Sequence, residues 1–281
     1  MENFSQGVQL NQDTIIEYRN NTLPTNDIHA GFVLGYTLED NFRKKIIDQL
    51  KENKIPAVFV DSNILHYARQ EHEWHRYSLN SVYPSKGTYF FSELDNTKWD
   101  RFSQWHNTNL KPWRIDGSHV LILCQRPKGW NMFGNDQDHW LDKTITKIRK
   151  YVDRPIRIRM HPGDGTKEKQ IEKLLKRHGN SVEISRATNI KEDLVNCWCA
   201  VGYNSTPNVV AALEGVPVYV EDPKNSWAAD VAFNDLSQIS DPPMPDRSEW
   251  VQKIANIHWS NEEVQQGYLW SAIKTYILTS R

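Results

Sequence analysis

The second half of the sequence alternates between short apolar runs and amphipathic stretches, and this alternation constrains the fold most strongly. The predicted strands, which are apolar runs or alternate between apolar and polar residues, lie at residues 120–124, 155–160, 181–184, 199–202 and 217–220. Apolar residues recur between them at helical spacing, over residues 138–151, 167–178, 190–197 and 207–213. Short strands that alternate with helices predict a doubly wound parallel sheet, which is the Rossmann-like arrangement.

The first half begins with the same pattern. Residues 30–35 and 56–60 are apolar runs, and residues 42–50 between them have apolar side chains at helical spacing. Strand, helix and strand with short connections form a right-handed unit with parallel strands. Residues 62–117 are rich in aromatic and polar groups, and we interpret them as long loops with short helices. The sequence therefore predicts an α/β protein.

We expect two Rossmann-like domains. The first would cover residues 1–114 and the second residues 115–281, because the segment KPWRIDGS separates the two patterns. Two amphipathic helices, near residues 249–257 and 262–278, end the chain.

Composition excludes several classes of protein. The 34 Lys and Arg residues nearly balance 35 Asp and Glu residues, so the chain does not bind nucleic acid through net charge alone. No apolar run approaches the roughly 18–20 residues of a membrane span, and the N-terminus has no signal-peptide pattern. The 3 cysteines, Cys124, Cys197 and Cys199, form no CxxC motif. This set argues against a disulfide framework or zinc site and predicts a cytoplasmic protein without a membrane partner.

Polar residues directly follow several of the predicted strands. Ligands of open α/β sheets bind beyond the carboxyl ends of the strands, so these residues are the candidates for a site. They are Gln125, Arg126, Arg159, His161, Tyr203, Asn204, Ser205, Thr206 and, in the first half, Asp61.

The segment PIRIRMHPGD alternates with period two. Arg157, Arg159 and His161 share one face of the predicted strand, so an imidazole and an arginine could both meet a phosphate. Equally, His161 could merely end the strand while the arginines pair with acidic side chains.

The segment GYNSTPNVVAALEGVPVYV places Asn204, Ser205 and Thr206 before a helix that has Pro207 near its first position. Hydroxyls and free N–H groups at a helix N-terminus make an anion site, although the same residues also serve as ordinary helix caps. Two such sites on neighbouring strands would together hold a diphosphate.

Common nucleotide-binding motifs are missing. No GxGxxG follows the first strand of either half, and no GxxxxGK[ST] occurs, which disfavours dehydrogenases and P-loop kinases. The loop QRPKGWNMFG instead offers Arg126 and Lys128 for phosphate and Trp130 for stacking on a base or sugar. Asp136 and Asp138 have the spacing of a metal-binding DxD triplet, but they precede a helix, and we predict no metal site.

RMHPGD and GYNSTPNVVAALEGVPVYV, in this order, resemble the donor-binding domain of GT-B glycosyltransferases. They are similar to the His-Pro and Ser/Thr motifs of capsule-type transferases, including Kdo and sialic-acid transferases. The segment from LKPWR through QRPKGWNMFG to RMHPGD also resembles phage enzymes that attach glucose or arabinose to 5-hydroxymethylcytosine in DNA. The resemblance covers residues 111–225 well. It implies a GT-B-like fold with a central cleft, across which the C-terminal helices pack back.

The resemblance implies a role for each candidate. His161 would donate to one phosphate of the nucleotide sugar, and Ser205 and Thr206 would hold the other. Gln125, Arg126 and Arg159 would line the diphosphate and sugar, and Glu221 would accept from a hydroxyl. The remaining donor-site candidates are Trp130, Tyr203 and Asn204. The donor would be a UDP-sugar, without a cofactor or metal, because the protein groups neutralise the leaving diphosphate.

An inverting transferase needs a base for the acceptor hydroxyl. Asp61, after a first-half strand, is our first choice, although it could simply cap the next segment. Asp40 and Asp95 are alternatives, and a retaining enzyme needs no such base. Aromatic and basic residues interleave over residues 66–114, where they could stack on a flipped base, bind a polysaccharide or fill a core. The acceptor-binding candidates are Arg76, Asn80, Tyr83 and Lys86.

Our preferred interpretation is a phage DNA glycosyltransferase that acts in the host cytoplasm on modified cytosine, and this acceptor rests on the resemblance. Three alternatives stay open: a capsule or lipopolysaccharide transferase that acts on a glycan, a nucleotide-sugar epimerase, and a non-catalytic module that binds nucleotide sugars. The sequence does not choose among them, because a fold does not fix a function.

Overall fold

The structure is a computed structural model, and it describes residues 2–16, 28–34, 42–65, 73–126, 132–162 and 168–280. The strands are β1 (Gly31–Leu34), β2 (Ala57–Asp61), β3 (Trp74–Leu79), β4 (His119–Leu123), β5 (Ile156–Arg159), β6 (Val182–Ile184), β7 (Cys197–Gly202), β8 (Val218–Val220) and β9 (His258–Ser260). The α-helices are α1 (Glu2–Leu10), α2 (Phe42–Glu52), α3 (Lys98–Trp105), α4 (Gln137–Ile148), α5 (Glu168–His178), α6 (Ile190–Asp193), α7 (Pro207–Leu213), α8 (Ser248–Asn256), α9 (Asn261–Gln265) and α10 (Tyr268–Thr279).

The chain divides into two compact units. Unit 1 consists of Met1–Phe102 and Val251–Arg281, and unit 2 is Ser103–Trp250. We expected a boundary at residue 114 and the terminal helices in the second domain. The difference at the first boundary has a local cause, since the N–H groups of Lys111 and Arg114 donate to carbonyls of unit 2 at 2.9 and 2.7 Å. The terminal residues fall in unit 1 because β9 pairs with β3.

Unit 1 contains a mixed sheet with the order β1-β2-β3-β9. Strands β1 and β2 are parallel and joined by α2, as the sequence predicts, whereas β3 is antiparallel to both β2 and β9. The sequence did not reveal β3, because five of its six residues are buried and no alternation marks it. The helices α1 and α10 cover the sheet with apolar side chains, among them Phe4, whose ring lies 4.1 Å from that of Phe32.

Unit 2 contains a five-stranded sheet with the order β6-β5-β4-β7-β8, in which every pair is parallel. The predicted strands and helices of this half are confirmed, with shifts of a few residues at their ends. All residues of β4 and β7 are buried, as expected when helices cover both faces of a parallel sheet. Burial of each large apolar side chain contributes roughly 1.5–3 kcal/mol, so these central strands form a firm support for the residues that follow them.

The strand order of unit 2 reverses between β4 and β7. From β4 the chain first winds outward through β5 and β6, then returns to the other side of β4 and continues through β7 and β8. A crevice opens at such a switch point, beyond the carboxyl ends of the two strands, and ligands of doubly wound sheets bind there. The segments after β4 and β7 are therefore where a ligand site is expected.

Candidate functional site

A chain of polar side chains crosses the switch point of unit 2. Gln125, two residues after β4, is buried and donates its Nε2–H to Oδ1 of Asn204, which follows β7. Asn204 in turn donates from Nδ2 to Oδ2 of Asp222, after β8, at 3.1 Å. Asn225 donates to the same Asp222 oxygen at 2.8 Å. These hydrogen bonds fix the rotamers of residues that follow three different strands, so the site is held in place before any ligand binds.

The backbone keeps the β7 and β8 ends together beyond the sheet. The N–H groups of Glu221 and Asp222 donate to the carbonyls of Gly202 and Tyr203 at 3.0 and 2.8 Å. Glu221 also accepts a hydrogen bond of 2.5 Å from the Tyr219 hydroxyl. Burial, together with the Glu221 carboxylate, raises the pKa of Tyr219, so this phenol stays protonated and keeps donating. Two carboxylates thus stand side by side at the end of β8. Sequence reasoning selected Glu221 but missed its neighbour Asp222.

Tyr203 is held from two sides. Its hydroxyl accepts from Nδ2 of Asn135 at 2.8 Å, and the Trp140 ring meets it edge-on with centroids 6.0 Å apart. Burial raises the pKa of Tyr203, and the carboxylates of Asp222 and Glu221 add to this effect. The structure therefore brings together Gln125, Tyr203, Asn204 and Glu221 of the predicted donor site.

Ser205 and Thr206 precede α7. Ser205 is buried, and its carbonyl accepts from the N–H of Asn208 at 3.0 Å. Thr206 has helical backbone angles, and its side chain caps none of the N–H groups of α7. The structure therefore shows no side-chain capping of α7 by Thr206. The predicted contact of the two hydroxyls with phosphate stays a prediction.

Arg159 has a structural partner. Its Nη1 lies 2.6 Å from Oδ2 of Asp193, a side chain with 1% exposure, and it also donates to the carbonyl of Ala187 at 3.0 Å. Ser185 donates to both oxygens of the same carboxylate, at 2.6 and 2.7 Å. Arg157 likewise pairs with Glu183 at 2.8 Å. Of our two interpretations for these arginines, the structure supports pairing with acidic side chains, because the Arg159 guanidinium is committed to a buried carboxylate.

The other phosphate-binding candidates occupy different positions. His161 lies two residues beyond β5 and is half-buried, at the same end of the sheet as Gln125. Arg126 is exposed directly after Gln125. Lys128 and Trp130 lie outside the described residues.

Buried polar groups without partners mark the same end of unit 2. Among the described residues, none bonds to the side-chain amide of Gln137 or of Asn208, or to Nε1 of Trp140. Gln137 begins α4, which follows β4, and Asn208 lies in the first turn of α7, which follows β7. An unpaired buried polar group costs roughly 1–3 kcal/mol, which is the kind of cost that functional sites carry. No sequence signal pointed to these residues.

Gly202 makes room for Asn208. A Cβ atom at position 202 would lie 2.6 Å from both Oδ1 and Nδ2 of that amide. We expect Gly202→Ala to lower the free energy of unfolding by about 1–3 kcal/mol, because the amide would have to move within a packed core. Urea denaturation measures this change.

The variant Asn208→Ala serves as the control for this prediction. It removes the amide that the new methyl group would strike, so the double variant should lose clearly less stability than the sum of the two single losses. Strict additivity would show that the two residues do not compete for the same space.

In unit 1, Asp61 ends β2 opposite Arg76 of β3. Arg76 lies 2.6 Å from Oδ2 of Asp61 and also donates to the Ser62 carbonyl at 2.7 Å, while the Ser62 N–H donates to Oδ1 at 2.8 Å. The side chain of Asp61 is 37% exposed and that of Arg76 is 8% exposed. Arg76 thus fixes the Asp61 carboxylate, and its expected contact with the acceptor stays a prediction.

Asp40 and Asp95 are the alternatives to Asp61 as the base, and the structure describes only Asp95. Asp40 lies outside the described residues. Asp95 accepts from the N–H and hydroxyl of Thr97 at 2.8 and 2.7 Å, and it pairs with Arg101 at 2.7 Å. The hydrogen bonds from Thr97, with the charge of Arg101, hold the pKa of Asp95 below its usual value. The ionised form of Asp95 is therefore stabilised, which makes this carboxylate a weaker base.

The remaining acceptor candidates are only partly accessible. Asn80 has a left-handed backbone, with φ of 66°, and its Oδ1 accepts from the Ala57 N–H at 3.1 Å, which closes the end of the β2–β3 pair. Tyr83 is buried. Lys86 is exposed, with its ammonium 5.8 Å from the Tyr83 ring centroid.

The described residues contain no cluster of three or more His, Cys, Asp or Glu side chains that could hold a metal ion. The helices in these ranges include none with the length and apolar character of a membrane span. Cys124, Cys197 and Cys199 are buried and form no disulfide, and burial raises the pKa of Cys197 to about 12.

Comparison with known proteins identifies the fold. No family model and no curated protein matches the sequence. The solved structure of the KpsC beta Kdo 2,4 transferase of Thermosulfurimonas dismutans matches with a TM-score of 0.55 and 10% identity, over 89% of this chain and 85% of that chain. The KpsC beta Kdo 2,7 transferase of the same organism matches with a TM-score of 0.52 and 13% identity, over 85% and 98%. At such identities the likeness shows the fold alone, and the chain has a mixed α/β, GT-B-like fold similar to that of these glycosyltransferases.

Proposed function

We propose that the protein is a glycosyltransferase that moves a sugar from a nucleotide sugar to a glycan. The observation that carries the proposal is the polar chain from Gln125 through Asn204 to Asp222, which crosses the switch point of the unit 2 sheet. Doubly wound sheets bind nucleotides at this place. The GT-B-like fold suggests the class of enzyme, and the side chains of the site provide the groups that would bind the donor.

The proposed site separates two kinds of group. At the end of β8, Glu221 and Asp222 offer carboxylate oxygens, which accept hydrogen bonds from sugar or ribose hydroxyls. Towards β4 and β5, Arg126 and His161 offer donors, and Ser205 and Thr206 add hydroxyls next to α7. Phosphate oxygens are repelled by carboxylates, so the phosphate of the donor would lie on the Arg126 and His161 side, with its hydroxyl-bearing rings towards β8.

In the proposed reaction, the acceptor hydroxyl attacks the anomeric carbon while the nucleotide leaves with its phosphate. Arg126, His161 and the hydroxyls of Ser205 and Thr206 would stabilise the charge that develops on the leaving group. Asp61 stays our candidate for the base of an inverting enzyme, with Arg76 as the residue that positions it. Its role is a prediction, since a retaining enzyme would not need it.

A glycan acceptor is favoured over DNA by the comparison with solved structures. The two KpsC structures compared above are described as Kdo transferases. DNA carrying 5-hydroxymethylcytosine remains a prediction from resemblance and enters the test as a competing acceptor.

The test incubates the full chain with UDP- and CMP-sugars, with nucleotide release and product mass as the two readouts. Oligosaccharides and DNA containing 5-hydroxymethylcytosine are offered in parallel, and DNA with unmodified cytosine is the control. We expect nucleotide release coupled to a sugar-sized mass gain on an oligosaccharide. A gain on modified DNA alone would overturn the glycan acceptor and leave the transferase. Donor interconversion without acceptor would indicate an epimerase, and no turnover of any donor would contradict the proposal.

A further inference from the structure

The first turn of α4 contains buried hydrogen-bonding groups that the proposed reaction does not use. Gln137 is 4% exposed, and both atoms of its side-chain amide lack a partner among the described residues. Trp140 is 5% exposed, and within the same ranges its indole Nε1–H has no acceptor. Both side chains belong to the buried face of α4, and positions three apart on a helix are neighbours on its surface. Three unpaired groups, namely the amide oxygen, the amide NH₂ and the indole N–H, therefore lie close together.

These groups border the candidate donor site. The Trp140 ring meets the Tyr203 ring edge-on, with centroids 6.0 Å apart. Tyr203 packs against the hydrophobic core that contains Trp140 and Tyr219, and the Tyr219 hydroxyl holds Glu221 at 2.5 Å. The unpaired groups of α4 thus belong to the same part of unit 2 as two of the predicted donor-site residues.

The solvent side of this region is aromatic and polar. Tyr203 is half-buried, and Phe133, shortly before α4, is 43% exposed. The exposed Asn135 donates to the Tyr203 hydroxyl at 2.8 Å, a surface hydrogen bond that a ligand can replace. Planar bases stack on aromatic side chains. The region therefore suits a planar ligand whose edge reaches inward to Gln137 and Trp140.

The unpaired groups define what the edge of such a ligand must offer. The Gln137 amide donates through Nε2 and accepts through Oε1, whereas the Trp140 indole only donates. A matching edge therefore carries two acceptors and one donor. Uracil has O2 and O4 as acceptors and N3–H as donor, and cytosine has O2 and N3 as acceptors and N4–H as donor. The corresponding edge of adenine or guanine has a single acceptor, so a purine leaves one of the two protein donors unpaired.

We propose that Gln137 and Trp140 read the base of the nucleotide and select a pyrimidine, with the base at Tyr203 and its ribose towards Glu221. The inference rests on the proposed nucleotide-sugar donor and adds the residues that recognise its base. A bound pyrimidine would give all three groups a partner, which removes the cost of leaving them unpaired in the core.

Isothermal titration calorimetry on the full chain tests the proposal with UMP, CMP, AMP and GMP, and with ribose 5-phosphate as the match that lacks a base. We expect UMP or CMP to bind at least about tenfold more tightly than AMP, GMP and ribose 5-phosphate, because these leave a buried group unpaired. Gln137→Leu should lower the affinity for the pyrimidine nucleotide at least about tenfold and leave that for ribose 5-phosphate unchanged. Trp140→Phe, which removes the N–H donor, should lower the pyrimidine affinity several-fold and keeps the test decisive if Gln137→Leu does not fold.

Thermal stability is the second readout. Gln137→Leu should raise the unfolding midpoint of the protein without nucleotide by about 2–4 °C, because it replaces an unpaired buried amide with an apolar side chain. A lower midpoint would show that the amide has partners before a base binds, and it would overturn the proposal.

Gln238→Leu is the control, the same substitution at an exposed glutamine of unit 2, and it should bind every ligand like the unaltered chain. Equal affinities for purine and pyrimidine nucleotides, or full pyrimidine affinity in Gln137→Leu, would overturn this inference and leave the transferase proposal intact. Absence of binding of any nucleotide, together with no turnover of any donor, would contradict both, so the two failures are distinguishable.

Discussion

Asp222→Asn is expected to lower the turnover of nucleotide sugar by about 10- to 100-fold while the protein stays folded. One oxygen of Asp222 accepts from Asn204 and Asn225, and an asparagine side chain can keep an oxygen in that position. Its other position would then present an NH₂ donor where a carboxylate oxygen had been. Loss of one charged hydrogen bond to a ligand hydroxyl costs roughly 1.5–3 kcal/mol, which gives the expected factor. Steady-state kinetics measures this loss of turnover, with the UDP- or CMP-sugar that serves as donor in the test of the proposed function.

The matched control is Asp241→Asn, the same substitution at an exposed aspartate of unit 2 whose side chain bonds to no other described residue. Its turnover should equal that of the unaltered chain. A folded Asp222→Asn protein with turnover within twofold of this control would show that the carboxylate does not contact the substrate.

Asp193→Asn is expected to have the largest effect on stability. The substitution keeps size and shape but removes the charge that faces Arg159 at 2.6 Å, with the Asp193 side chain only 1% exposed. Removal of one partner of a buried ion pair leaves an uncompensated charge and costs about 3–5 kcal/mol. Urea unfolding followed by circular dichroism measures the loss in the free energy of unfolding.

Glu183→Ala is the comparison for this prediction. Glu183 pairs with Arg157 at 2.8 Å, but its side chain is 59% exposed, so its removal should cost about 0–1 kcal/mol. Similar losses in the two variants would mean that burial does not control the strength of these arginine pairs, and the structural role of Arg159 would be in doubt.

The unit 2 sheet could be predicted from sequence because its signals are local. Strands β4 and β7 are runs of apolar residues, and the helices between strands carry an apolar face every three to four residues. The right-handed crossover rule then limits how such strands can be arranged. Unit 1 was predictable only from β1 to β2. Strand β3 pairs with β9, about 180 positions further along the chain, and no local pattern encodes such a partner.

The candidate site was predictable to the extent that it follows from strand ends. Gln125, Tyr203, Asn204 and Glu221 were found because they come directly after strands, and the structure places them at one end of one sheet. Asp222 was missed although it is the next residue, because sequence position does not tell which of two adjacent carboxylates bonds to Asn204. Arg159 was assigned to phosphate because alternation gives the face of a strand but not the partner on that face.

The sequence by itself determined the α/β class, the strands and helices of unit 2 and the end of the sheet where a ligand would bind, since these depend on hydrophobic periodicity and chain connectivity. Only the tertiary structure decided which polar groups pair. It joined Arg159 to Asp193 and Arg76 to Asp61, left Gln137 and Asn208 without partners among the described residues, and put Lys98 against the ring of Trp259. The physical reason is that burial and hydrogen-bond partners depend on which distant segments meet, and a periodic pattern records only which face of an element is turned inward.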